Sequence, residues 1–106
     1  MESFPEGVQL VRKLAETRHS RLFVVEHPDY SEAVLLKQLH PDLAYDPVEN
    51  DYLLREYRVG RQIDLPRVPK FFSYETVGGL PYILMQFIEG EDLFSLWQRK
   101  VPGAED

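Results

Sequence analysis

The stretch Ala33-Val34-Leu35-Leu36-Lys37-Gln38-Leu39 reads as a strand, and its lysine stands among four aliphatic neighbours. Nineteen residues after that lysine, the stretch Leu53-Leu54-Arg55-Glu56 ends on a complementary oddity. At about 100° per residue, Val48, Tyr52, Leu53, Val59, Gly60 and Ile63 share one helix face, and Glu56 lies near its centre. A charge that faces a sheet is costly unless it is paired. Lys37 and Glu56 are therefore expected to be partners. The alternatives are a lysine that snorkels to the sheet edge, or a Glu56 placed where the helix leaves the sheet.

Two more strands precede this one. Val8-Gln9-Leu10-Val11-Arg12-Lys13-Leu14 and Arg21-Leu22-Phe23-Val24-Val25-Glu26 are aliphatic and β-branched, with polar turn segments after each. Their connections are too short for parallel crossovers, so an antiparallel meander is predicted. Asp46-Pro47-Val48-Glu49 has the marks of a helix start: an Asp cap, Pro at the first position and Glu at the third. The helix should run to about Ile63, where Asp64-Leu65-Pro66 stops it. Strands follow at residues 70–75 and 80–87, joined by Val77-Gly78-Gly79, and a Gly-Gly pair suits a tight hairpin. A second helix is predicted over residues 92–99. The order predicts an α+β fold, a five-stranded antiparallel sheet with one long packed helix and the start of another, as one domain over residues 1–106.

Composition excludes several classes of function. Hydrophobic residues at 43% and charged residues at 28% are ordinary globular usage, which argues against disorder. Eighteen acidic against 12 basic side chains give a net charge of −6, which disfavours capture of nucleic acid or an anionic membrane. The absence of cysteine removes disulfides, thiolate metal sites and cysteine nucleophiles. The apolar runs are far shorter than the roughly 20 residues of a membrane span, and the N-terminus lacks a secretory pattern. A cytoplasmic setting is expected. His19, His27 and His40 fall in three separate turns without metal-ligand spacing. Arg55, Arg58, Arg61, Arg67 and Lys70 read as a solvated basic stretch.

Several motifs in order resemble the N-terminal, ATP-binding lobe of bacterial eukaryotic-like Ser/Thr protein kinases. Val34-Leu35-Leu36-Lys37 is similar to the V-A-I-K strand, and Leu36-Lys37-Gln38-Leu39-His40-Pro41-Asp42-Leu43-Ala44 to its bacterial continuation. Leu54-Arg55-Glu56-Tyr57 looks like the helix-C glutamate motif, at an ordinary spacing from the lysine. Tyr82-Ile83-Leu84-Met85-Gln86-Phe87-Ile88-Glu89-Gly90 resembles the fifth strand and hinge. The likeness spans about residues 8 to 100. The stretches at residues 19–23 and 65–68 also resemble kinase domains at the front of large bacterial hybrid sensor proteins.

This resemblance implies roles for particular residues. Lys37 would hold the α- and β-phosphates of ATP, with Glu56 orienting it. Met85 would be the gatekeeper, and the backbone of Gln86 and Ile88 would bond the adenine. Leu14, Leu22, Leu35 and Leu93 would line the base, and Asp92 would reach the ribose. The departures are as informative. Ala15, Thr17 and Ser20 replace the loop glycines that let a backbone approach phosphates. Leu35 replaces an alanine and should shrink the adenine slot. Gln86 stands for the usual hinge Glu. Gly60 replaces a bulky residue, with Phe71 expected to fill the gap. No H-R-D-x-x-x-x-N, D-F-G or A-P-E motif occurs in the 106 residues, so the implied Mg²⁺ ligands and catalytic Asp belong to a C-terminal lobe. Weak or absent nucleotide binding is expected, and phosphotransfer only where that lobe completes the site. The rival expectation is a non-catalytic, pseudokinase-like interaction module in signalling. An apolar lower edge that includes Phe71, Leu93, Phe94 and Trp97 would favour self-association or another domain as partner.

Overall fold

The computed structural model describes residues 4–66 and 68–88. The elements run β1 (Gln9–Glu16), β2 (Ser20–Glu26), β3 (Val34–Leu39), a short 3₁₀ turn (Pro41–Leu43), α1 (Pro47–Gly60), β4 (Phe71–Val77) and β5 (Leu80–Gln86). The sheet order is β1-β2-β3-β5-β4 and every neighbouring pair is antiparallel. The fold expected from the sequence is the fold observed. The predicted second helix, with Asp92, Leu93, Phe94 and Trp97, lies outside the described residues, as does Arg67.

Central placement explains the near-continuous apolar character of β3. All six of its residues are buried, because the sheet carries an apolar layer on each face. The inner layer gathers Leu22, Val24, Leu35, Leu39, Ile83 and Met85 from the sheet with Leu53 from the helix. On the outer face Phe23, Val25, Val34, Leu36, Tyr82 and Leu84 form a second layer, roofed by Phe4, Val8, Tyr30 and Phe72. Phe4 meets Phe23 edge-on at 5.2 Å, and Tyr30 stacks on Phe72 at 4.8 Å. Phe4 and Val8 thus pack against the outer layer, a role their sequence did not announce. At the free edge, β1 has two register shifts, between Leu10 and Arg12 and between Lys13 and Ala15. Such bulges twist an exposed edge away from further strand pairing.

Helix α1 starts as expected. Asp46 caps it by accepting the N–H groups of Val48 and Glu49, and Pro47 takes the first position. Two expectations need correction. The helix ends at Gly60, and Arg61, Gln62 and Ile63 only continue it as a tight turn through bonds to Tyr57, Val59 and Gly60 carbonyls. The buried stripe is also narrower and rotated. Leu53, Glu56 and Gly60 face the sheet, whereas Val48 and Tyr52 are more than half exposed. The helix packs on β3, β4 and β5, and that packing seats the later turns while leaving the first to solvent.

The β4–β5 hairpin closes through Gly78 and Gly79, with φ of 59° and 79°. Two successive positive φ values between paired Val77 and Leu80 make a turn that L side chains rarely tolerate. A different glycine sets the helix–sheet distance. A Cβ at Gly60 would lie 2.6 Å from Phe71 Cζ, because the Phe71 ring occupies that space. Phe71 is consequently buried, not part of an exposed lower edge. The large exposed apolar side chains among the described residues are Leu10, Val11, Tyr45, Val48, Tyr52 and Leu65.

Two predictions follow from this packing. Gly60→Ala should destabilise the chain by about 1–3 kcal/mol in urea denaturation, although alanine is the better helix former, because overpacking outweighs propensity. Pairing it with Phe71→Leu should recover part of the loss. Burial, helped by Glu75, pushes the Tyr82 hydroxyl up to about 12. Between its ordinary value near 10 and that level, the unfolded chain loses the Tyr82 proton while the folded chain keeps it. Stability should therefore fall as pH rises through this window, and melting curves of Tyr82→Phe should show a shallower decline.

Candidate functional site

Two rows of inward-facing residues cross the sheet. Register places Ala15, Leu22, Lys37, Ile83 and Tyr74 in one, and Val24, Leu35, Met85 and Phe71 in the next. Lys37 thus points from the middle strand into the layer beneath α1. Its Nζ donates to both carboxylate oxygens of Glu56, at 3.2 and 2.9 Å. Lys37 is 2% exposed and Glu56 7%. Charges this deep are tolerated when the pairing geometry is good. Of the readings open from the sequence, direct pairing is the one observed.

Leu35 and Met85 are buried in the row beside the pair and Leu22 in the pair's own row, with Leu14, Phe87 and Ile88 packed against the same layer. Leu35 is 1% exposed. Its side chain is part of the packed inner layer, with Leu22, Val24 and Met85. Gln86 is fixed twice to the start of β4: its N–H donates to the Lys70 carbonyl at 2.8 Å, and its side-chain oxygen accepts the Lys70 N–H at 3.2 Å. Arg12 on β1 lies over the Phe87 ring at 5.9 Å, so β1 and the segment after β5 meet at this end of the sheet. Leu14, Leu22, Leu35, Met85 and Ile88 share one apolar layer, Lys37 and Glu56 form a buried pair, and Gln86 ends β5 bonded to Lys70. Asp92 and Leu93 fall outside the described residues.

The β1–β2 turn holds contacts that the sequence reading missed. Thr17 Oγ1 accepts the N–H groups of His19 and Ser20, both at 3.2 Å. His19 Nδ1 lies 2.9 Å from a Glu49 carboxylate oxygen. Glu49 is therefore turned to the hairpin and does not close a capping box, since the Asp46 N–H already donates to the Leu43 carbonyl. His40 Nε2 lies 3.1 Å from Glu16, and the Lys13 ammonium bonds the same carboxylate. These two contacts hold the Glu16 carboxyl below its ordinary range. The Thr-x-x-Ser spacing of the turn was a readable signal for the Thr17 contacts; the long-range His–Glu pairs left none. Among the described residues no group of His, Asp and Glu could hold a metal ion, and no helix is long and apolar enough to cross a membrane.

Comparison with known proteins agrees with this geometry. No protein-family model matches the chain. The serine/threonine-protein kinase PknH of Mycobacterium tuberculosis is 28% identical over 93 residues, which are 88% of this chain and 15% of that protein. The probable serine/threonine-protein kinase YbdM of Bacillus subtilis is 36% identical over 72 residues, 67% of this chain and 28% of that protein. The chain therefore spans less than a third of the length of these curated relatives. Two crystal structures of the Mycobacterium tuberculosis PknI kinase domain superpose with TM-scores of 0.64 and 0.66. Each match is 24% identical and covers 92% of this chain and 39% of the other. In fold this chain is a protein-kinase N-terminal lobe, and in sequence it is a relative of bacterial serine/threonine protein kinases.

Proposed function

We propose that residues 1–106 form the ATP-binding lobe of a Ser/Thr-type protein kinase, which transfers phosphate only when a C-terminal lobe completes it. The observation that carries this reading is the buried Lys37–Glu56 pair. An ammonium held by two carboxylate oxygens is a fixed point charge, and this suits it to the α- and β-phosphates of a nucleotide. Glu56 does not itself touch the ligand; it positions Lys37. Leu14, Leu22, Leu35, Met85 and Ile88 would flank the base, with the Gln86 and Ile88 backbone as its hydrogen-bonding edge. The Mg²⁺ that accompanies ATP in such kinases neutralises phosphate charge, and its ligands would come from the other lobe.

One observation favours a second reading, a non-catalytic module that serves signalling through its surfaces. Leu35 would narrow the base slot, and the turn that would cradle phosphates carries Thr17 and Ser20 in place of glycines. The exposed Val48 and Tyr52 on α1 would then be the natural contact for a partner domain or a second copy.

Titration of the chain with ATP and Mg²⁺, followed by thermal shift, separates the readings. The expected dissociation constant is no tighter than roughly 0.1–1 mM, and the shift should vanish in Lys37→Ala. A curve that Lys37→Ala leaves unchanged would overturn the nucleotide reading. Folding provides the control. Glu56→Ala should cost about 3–5 kcal/mol, because it leaves a buried ammonium uncompensated. The double variant Lys37→Met/Glu56→Leu should recover most of that stability while remaining unable to bind nucleotide, as urea denaturation and the same titration would show.

A further inference from the structure

The turn of the β1–β2 hairpin is built around one oxygen. Thr17 Oγ1 accepts from two successive amides, His19 and Ser20, and donates to the Ser20 carbonyl at 3.4 Å. The Thr17 N–H donates to the same carbonyl at 2.8 Å. Two consecutive N–H groups that converge on a single oxygen form a small concave donor pair, a geometry that also suits an oxygen of an anion. Here the oxygen belongs to the chain itself.

The turn is also fastened from outside. The His40 N–H donates to the His19 carbonyl at 2.8 Å, His19 Nδ1 meets Glu49, and His40 Nε2 meets Glu16. These contacts tie the hairpin to the start of α1 and to the segment after β3. They also bring two carboxylates, Glu16 and Glu49, close to the turn, which disfavours an incoming anion. Opening the turn toward a ligand would therefore break contacts on three sides.

We propose that Thr17 is an internal competitor for the phosphate end of a nucleotide: its hydroxyl holds the His19 and Ser20 amides, and a phosphate oxygen gains them only by displacing it. The proposal deepens the nucleotide reading above and rests on it for the ligand class. It assigns Thr17 an affinity-determining role that acts through backbone amides. A hydrogen bond to a neutral hydroxyl contributes modestly, so its removal should change amide protection and ligand affinity by up to about tenfold.

The test uses the ¹⁵N-labelled 106-residue chain with Thr17→Ala, which removes the hydroxyl, and Thr17→Ser, which keeps it. The His19 and Ser20 amides should exchange with solvent about tenfold faster in Thr17→Ala, and at the wild-type rate in Thr17→Ser. Pyrophosphate should move those two amide resonances in Thr17→Ala and leave them in place in the other two. ATP should bind Thr17→Ala about three- to tenfold more tightly, with Thr17→Ser as the wild type. Equal exchange rates in all three proteins, or pyrophosphate that moves neither amide in Thr17→Ala, would overturn the proposal. Exchange and pyrophosphate binding do not involve the base, so they judge Thr17 even where the Lys37 variants overturn the nucleotide reading.

Discussion

A buried lysine that must meet a buried carboxylate constrains everything around it. Lys37 sits on the central strand, covered on both faces, where an unpaired ammonium would be expensive. Glu56 is the group that meets it, at 2.9 and 3.2 Å, and so both the rotation and the height of α1 over the sheet are fixed. The stripe that faces the sheet therefore runs through Leu53, Glu56 and Gly60. Tyr52 is left outside even though its hydrophobicity would have placed it within. The charge pair outranks the apolar pattern because a missed pairing of ions costs more than one exposed ring.

Close approach of the helix follows from the same constraint. The carboxylate can reach the ammonium only if the helix backbone lies near the sheet, and Gly60, one turn on, supplies the room. Phe71 uses that room, with its ring where a Cβ at Gly60 would stand. Tyr57 and Tyr74 extend the contact, with ring centres 6.0 Å apart. The helix is thus seated by one ionic and one aromatic contact a turn apart, and a shift that relaxes either would strain the other.

How much of this was legible depended on whether the signal was local. Lys37 and Glu56 stood out because each broke an apolar pattern that could be counted along the chain. Asp46-Pro47 and Gly78-Gly79 were legible because cap and turn chemistry act within a few residues. The rotation of α1 was not, since Val48 and Tyr52 satisfy the same periodicity as the residues that do face the sheet. The end of the helix at Gly60 was equally hidden, because Ile63 kept the period through a final tight turn. The pairing of His19 with Glu49, thirty positions away, needed the hairpin and the helix start to be placed in space first. The packing of Phe4 on the outer face lay beyond any pattern, since a single aromatic residue beside Pro5 and Gly7 has no periodicity to read.

Stability and the proposed ligand chemistry meet in the Lys37–Glu56 pair. Removing one member of the Lys37–Glu56 pair leaves a buried charge, so the pair is held in place by folding whether or not a nucleotide binds. It identifies the lobe; alone it cannot measure the lobe's affinity. The residues free to report on affinity are those whose replacement would leave the sheet intact. Thr17 is one, at the tip of an edge hairpin. Leu35 is not, because it is buried in the inner layer and truncation of a core leucine to alanine costs about 2–5 kcal/mol. Leu35 fills part of the inner layer and Thr17 Oγ1 holds two backbone amides, so each position is satisfied by the chain's own atoms. The architecture thus keeps its charged centre rigid while the β1–β2 turn is satisfied internally, and on the reading proposed above a nucleotide would gain its contacts against these two side chains.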